Sequence, residues 1–555
     1  MSLTRNSESL LKNLDIKPKD RMMEILSSEN PMEIVQEMDP ADFYMLVHDV
    51  GLSDALELVG YATGEQFQVC LDFETWKGDN FDESRLLPWV EALLEQENED
   101  FERIFDEMDP EILAFFLHKN INIYAPENKD DEVDIPDEEG RITRQSPDMT
   151  YWITYPEEGE ASEVLQAFIN KLYSALDVER AWSYLESMNW EMCTDLLEKM
   201  YYFRSKRIQD YGFLPIEEAM EIFHVENPET LRMRLLDEMQ AEHYFADHVT
   251  NSPFVKALVP LEKEKKTEKL FIHQIGDLLD REAFDNFIAQ TVSLGQAVAV
   301  CDHVEPCDID SMAGSFLYAI NTASLGLEFL SKENKDLAAK ILSKIPLKRI
   351  FNAGYCLTYQ LGETFKVIMH RGRLSIIDNE PMSLLTDAQR DVVLGLLEER
   401  PRPFYSTLDC FTTMRDVENA SLILADIAFR ELLVFGLLKK TKDDITRIAY
   451  DYELVRGIEN LNFDNLLLTM FVQRARGLDN PFVPFDADEP CSTKAEMLAA
   501  IAPEALESFL PGYATKSMQT SFERMIQQLR AKIEEEYPAK SPEPEFISLV
   551  LFAED

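Results

Sequence analysis

The chain has 555 residues, with 53 Lys and Arg against 104 Asp and Glu, for a formal net charge of −51. A surface this acidic repels phosphate backbones and anionic lipid headgroups, so nucleic acid is excluded as an expected partner. The 45% apolar and 10% aromatic content can bury sizeable cores. With 19 glycines, about half the usual share of roughly 7%, the chain is poor in phosphate-cradling loops and tight β-turns and rich in helix formers.

The charge is uneven. Residues 1–140 hold 36 Asp and Glu against 10 Lys and Arg, a net of −26 in a quarter of the chain. The seven cysteines (Cys70, Cys193, Cys301, Cys307, Cys356, Cys410 and Cys491) are odd in number and scattered, which fits reduced thiols in the cytoplasm and not a disulfide framework. The stretch from Met1 to Asp20 is polar, without the features of a signal peptide. No uncharged apolar run reaches a membrane span; residues 286–301 and 311–327 come nearest and read as two buried core helices.

Residues 1–125 read as an acidic helical-repeat domain. Its signature is a phrase that comes twice: Ile34-Val35-Gln36-Glu37-Met38-Asp39-Pro40 and Ile104-Phe105-Asp106-Glu107-Met108-Asp109-Pro110. Each copy ends in a helix start, with Asp as the cap and Pro in the first turn, where its missing N–H does no harm. Behind each comes an apolar face at helical spacing, Phe43, Leu46 and Val47 in one copy and Leu113, Phe116 and Leu117 in the other. His48 and His118 close both helices in register, where a partly positive imidazole meets the negative end of the helix dipole. Helices this short need neighbours to hold them. Degraded echoes stand at Met188-Asn189-Trp190, with Cys193, Leu196 and Leu197 on the matching face, and at Ile501-Ala502-Pro503, with Leu506, Phe509 and Leu510.

The run Met38-Asp39-Pro40-Ala41-Asp42-Phe43, followed by Asp54-Ala55-Leu56-Glu57-Leu58, resembles the N-terminal regulatory domain of magnesium transporters. That domain is similar in turn to helical-repeat domains of the flagellar switch. The resemblance covers residues 30–120 and implies stacked helices; no transporter membrane domain follows. The whole chain also resembles a family of large bacterial proteins defined only as a domain of unknown function.

Residues 126–160 read as an acidic linker followed by a β-hairpin. Pro126 to Gly140 holds eight acids and one lysine. Tyr151 to Tyr155 are strong strand formers behind the turn residues Ser146-Pro147-Asp148. Residues 161–262 return to helix, with Val164, Phe168, Leu172 and Leu176 as one stripe. Residues 263–403 carry the most apolar helices and form the expected central core. Within them, Phe365 to Ile377 fits either a hairpin around Arg371-Gly372 or two helix ends, and Thr386 with Gln389 is a capping box. Residues 404–555 form a C-terminal helical domain of three helices over 416–476 and an amphipathic helix through Phe522, Met525, Leu529 and Ile533. Phe546 to Phe552 reads as a closing strand. The fold class is therefore mostly α, in multi-domain helical-repeat bundles with one or two inserted β-hairpins.

Chemistry-bearing clusters are few. Cys301, His303 and Cys307 place three zinc-type ligands within seven residues, but the spacing matches no structural zinc module and lacks a fourth ligand. His243 and His248 stand five apart, whereas helical metal pairs need three or four. Arg371 and Arg373, with Arg400 and Arg402, make basic islands suited to an anion or to the chain's own surplus carboxylates. There is no GxxxxGK[ST], GxGxxG or GxSxG, and no cofactor is expected. The leading expectation is a cytoplasmic scaffold that binds a protein partner through its acidic repeats. The second is an enzyme or metal-binding protein with its site in 270–410, and the third a divalent-cation sensor.

Overall fold

The computed structural model describes residues 17–125, 135–136, 139–189, 193–239, 270–276, 278–306, 308–376, 381–478, 481–487, 493–503, 510, 514–536 and 543–554. Helix makes up 68% of it and no sheet exceeds three strands, so the class is mostly α. The described residues fall into two compact units. One lies within Met1–His224, Met239–Ala323 and Asn334–Phe351, the other within Val225–Glu238, Ser324–Glu333 and Asn352–Asp555. No helix among the described residues is long and apolar enough to cross a membrane.

The described residues of the first unit begin with eight short helices: Pro18–Leu26 (α1), Pro31–Gln36 (α2), Pro40–Val50 (α3), Leu56–Tyr61 (α4), Gly64–Glu74 (α5), Glu83–Leu94 (α6), Asn98–Glu107 (α7) and Glu111–Asn120 (α8). The stripes read from the sequence are buried, Phe43, Leu46 and Val47 on α3 and Leu113, Phe116 and Leu117 on α8, and so are Tyr44, Met45, Ile112 and Phe115 beside them. His48 and His118 both stand in the last turn of their helices. The two caps differ. Asp39 accepts from the Ala41 N–H at 2.9 Å, but Asp109 does not cap α8, whose preceding residue is Pro110. Its carboxylate is drawn instead to Arg207. A guanidinium outcompetes a backbone amide for a carboxylate, because the bond is charge-assisted on both sides.

The expected hairpin is present, with one strand more. Arg141–Gln145 and Trp152–Pro156 pair antiparallel, and Asn122–Tyr124, earlier in the chain, pairs with the other edge of Trp152–Pro156. That first strand is too short for a period-2 pattern to reveal. Ile153 and Tyr155 turn inward onto the same core as the repeats. The turn is fastened by Asp148, which accepts from the Ser146 hydroxyl at 2.6 Å and from the Trp182 indole at 2.8 Å.

Helices Glu160–Ala175 (α9), Val178–Asn189 (α10) and Cys193–Gln209 (α11) pack against the repeats, α9 on α6 and α7 and α11 on α5 and α8. The stripe Val164, Phe168, Leu172 and Leu176 is buried. Leu197, read as part of the next buried face, is instead exposed beside buried Leu196. Asn189 closes α10, and Trp190 lies outside the described residues. Arg281–Cys301 (α12) and Ile309–Ser331 (α13) are the two core helices anticipated from 286–301 and 311–327. They approach so closely that a Cβ on Gly295 would lie 2.5 Å from the Phe316 ring.

Leu347–Met369 (α14), which belongs to the second unit from Asn352 onward, runs as helix past Phe365, which decides that stretch against a hairpin; Arg371 and Gly372 turn the chain after its end. Thr386 and Gln389 form the expected capping box on Asp387–Leu397 (α15). Met414–Glu431 (α16), Lys442–Asp451 (α17) and Phe463–Ala475 (α18) are the three helices expected over 416–476. Lys494–Ala500 (α19) packs on α18 and on Lys516–Glu536 (α20). Phe522, Met525, Leu529 and Ile533 of α20 are all buried. The closing strand comes later than expected: Phe552–Glu554, which shares only Phe552 with the expected stretch, lies between Glu453–Leu454 and Phe485–Asp486, and Pro544–Phe546 is a 3-10 turn. Of the echo at Ile501, Leu506 and Phe509 lie outside the described residues, as does most of the 126–140 stretch.

One titration follows from these elements. Burial raises the Asp148 carboxyl, but its hydrogen bonds from Ser146, Thr150 and Trp182 prevail and hold it at about 2 against an ordinary 3.8. A carboxyl depressed in the folded state stabilises above its unfolded pKa and loses that stability as pH falls. Denaturant unfolding should therefore show wild type losing more stability than Asp148→Asn between pH 3.8 and 2. Identical acid limbs would refute the assignment.

Candidate functional site

The repeat copies meet at the N-terminus of α5. Thr63 and Gln66 form a capping box there, which leaves the Gln66 side-chain amide free to donate to the carbonyls of Val35 and Met38 at 2.6 and 2.9 Å. Both acceptors belong to the first copy. From the second copy, the Glu107 carboxylate accepts from the Gly64 N–H at 2.8 Å. Gly64 is required by this approach: a Cβ would lie 2.4 Å from the Glu107 Cβ and 2.6 Å from the Met108 nitrogen.

An open groove of about 390 Å³ lies at this junction, lined by Gln36, Met38 and Pro40 of the first copy, Glu107 of the second, and Thr63, Glu65 and Gln66 between them. Glu65, Glu107 and neighbouring Glu33, Glu37 and Asp39 are exposed, so the rim is acidic. Met38 and Pro40 supply an apolar patch inside it.

The junction is locked from behind by α11. Arg207 grips the Asp72 carboxylate through Nε at 2.6 Å and Nη2 at 3.0 Å, and its third nitrogen reaches Asp109. Arg204 donates to the Asp72 carbonyl at 2.9 Å and lies 4.9 Å over the Trp76 ring. Asp72 is almost wholly buried. Sequence reading missed this lock, because the partners stand 135 positions apart and neither sits in a motif.

The acids of the Cys301 loop make packing contacts. Cys301 ends α12; Asp302 accepts from the Ser315 hydroxyl at 2.9 Å, and Glu305 pairs with Arg85 at 2.8 Å. His303, with φ of +54°, is exposed and turns its ring toward Gly78. Cys307, His243 and His248 lie outside the described residues. Among the described residues no three His, Cys, Asp or Glu side chains are grouped to hold a metal. His303, Val304 and Glu305 wall a small cleft of about 60 Å³ with Trp76, Tyr201 and Arg204, room for about two waters. Arg371 and Arg373 lie in the second unit, where both reach the buried carboxylate of Glu431. Cys356, on α14, is buried in the core.

Two substitutions probe the junction. Arg207→Met strands the buried Asp72 charge and should destabilise by about 3–5 kcal/mol, measured by denaturant unfolding; a loss below about 1 kcal/mol, the level of an exposed pair, would show that the lock contributes little. Gly64→Ala should lose about 1–3 kcal/mol through the forced backbone shift, whereas an unchanged midpoint would mean that the α5 start yields freely.

No curated protein and no solved structure matches the chain. Over residues 2–553 it matches the family of unknown function DUF6178. The chain, repeats, lock and second unit together, belongs to that family.

Proposed function

We propose that the protein is a non-catalytic helical scaffold that docks a partner protein through its acidic N-terminal repeats. The observation that carries this reading is the groove at the α5 start, to which both copies of the repeated phrase contribute and whose rim is acidic. Helical repeats produce continuous surfaces of this kind, with function on the face where the repeats meet. The net of −26 over residues 1–140 selects for a basic partner and speeds its approach. Met38 and Pro40 offer an apolar anchor point, so the partner segment expected is one with Lys or Arg around a single apolar side chain.

The test uses the full chain carrying a photo-cross-linker at Gln36, in cells of its source. A cross-linked protein with a basic segment is expected. Glu33→Lys/Glu37→Lys/Glu65→Lys should reduce its capture at least tenfold without changing the melting temperature. The same reversal at Glu91, Glu95 and Glu99, outside the groove, should leave capture intact. Equal capture by both triple variants, or none by wild type, would overturn the proposal.

A further inference from the structure

We infer that Arg371 and Arg373 form a seat for a small oxyanion, a carboxylate or a phosphate. Their shared partner is Glu431, the last residue of α16, which is 1% exposed. Arg371 Nη1 donates to Glu431 Oε2 at 2.7 Å and Arg373 Nη1 to Oε1 at 3.3 Å. Each guanidinium spends one of its five donors on this carboxylate. Both side chains are about half exposed, at 48% and 49%.

Neutralising one buried carboxylate takes one guanidinium, whose planar fork matches it bidentately. The chain does that elsewhere, with Arg207 on Asp72. At Glu431 two guanidiniums share the work through a single contact each, which leaves a surplus positive charge at a half-exposed position in a protein of net −51. Gly372, between them, has a φ of +68°, a left-handed turn that lets residues two apart converge on one acceptor.

Position is fixed on a second side. The Arg373 guanidinium lies 5.6 Å over the Phe435 ring. Phe435 belongs to the π-helix Leu432–Leu437, which begins directly after Glu431. Single π-turns inside α-helices concentrate at functional sites, because the wider turn redirects side chains that a regular helix would stack. Here it sets an aromatic face beside the buried acid. Carboxylate and ring together orient the pair, and the unused N–H groups are those left to a ligand. An oxyanion with two adjacent oxygens bridges such a pair and cancels the surplus charge.

The test is isothermal titration of the full chain with sodium phosphate and with sodium acetate, against sodium chloride at matched ionic strength. Saturable binding of phosphate or acetate at millimolar concentration is expected, and the tighter of the two identifies the ligand's headgroup. Arg373→Gln should weaken it at least tenfold, Arg373→Lys by less, and Arg415→Gln, at an exposed arginine elsewhere, not at all. Heats equal to those of chloride in wild type would overturn the seat, a result that needs no variant to fold. Binding by Arg373→Gln equal to wild type would overturn it as well.

Discussion

One buried carboxylate governs the first unit. Asp72 sits inside α5, surrounded by Val69, Cys70, Leu71 and Phe73, all buried. An ionised carboxylate in that setting is strongly destabilising unless it is paired and hydrogen-bonded. Arg207 meets both conditions, and Gln68 adds a third contact at 3.2 Å. Because Arg207 arrives from α11, the compensation can form only when the later helices have docked on the repeats. The folded repeat surface is thereby tied to residues far outside the repeated phrase. The same guanidinium takes Asp109, and so the second copy loses its helix cap and gains a tertiary anchor. The two copies are alike in sequence and unlike in mechanics.

The second unit follows the same logic at greater density. Arg430, 1% exposed, donates to Asp464 at 2.7 Å and to Gln528 at 2.8 Å. Lys532 reaches the other Asp464 oxygen at 2.7 Å, and Asp426 accepts from Arg524 and Gln528 at 3.0 and 2.9 Å. Three helices, α16, α18 and α20, are keyed together by this lattice. Burial raises the Asp464 carboxyl, yet Arg430 and Lys532 prevail and hold it below its ordinary value. A satisfied polar network of this kind specifies one arrangement of helices where apolar contacts alone tolerate several. Glu431 follows Arg430 directly in sequence, and its two cations are about half exposed.

Taken together, the architecture separates two surfaces by charge. The repeats gather acids around a groove with a small apolar floor. The second unit gathers cations around buried acids and sets two guanidiniums, Arg371 and Arg373, on the single carboxylate of Glu431. Both arrangements use fixed groups on helices or at their ends, where packing holds side chains more closely than a long loop does. Membership in DUF6178 covers both surfaces, since the match runs over residues 2–553.

The sequence by itself determined the helical class, the repeat and most of the core. Apolar spacing is a local property, so Phe43, Leu46 and Val47, the stripe through Phe168 and the face of α20 were readable without any partner. Turn and cap chemistry is local too, which is why Ser146-Pro147-Asp148 and the Thr386–Gln389 box stood where expected. Only the tertiary structure decided the charged contacts. With 104 acids and 53 bases, residue type cannot say which carboxylate meets which guanidinium; that depends on helices docking across 135 positions for Arg207 and Asp72, and across 60 for Arg371 and Glu431. The third strand and the lost cap at Asp109 share that cause. Each is a local element whose conformation is set by a contact distant in the chain, and periodicity carries no information about distant contacts.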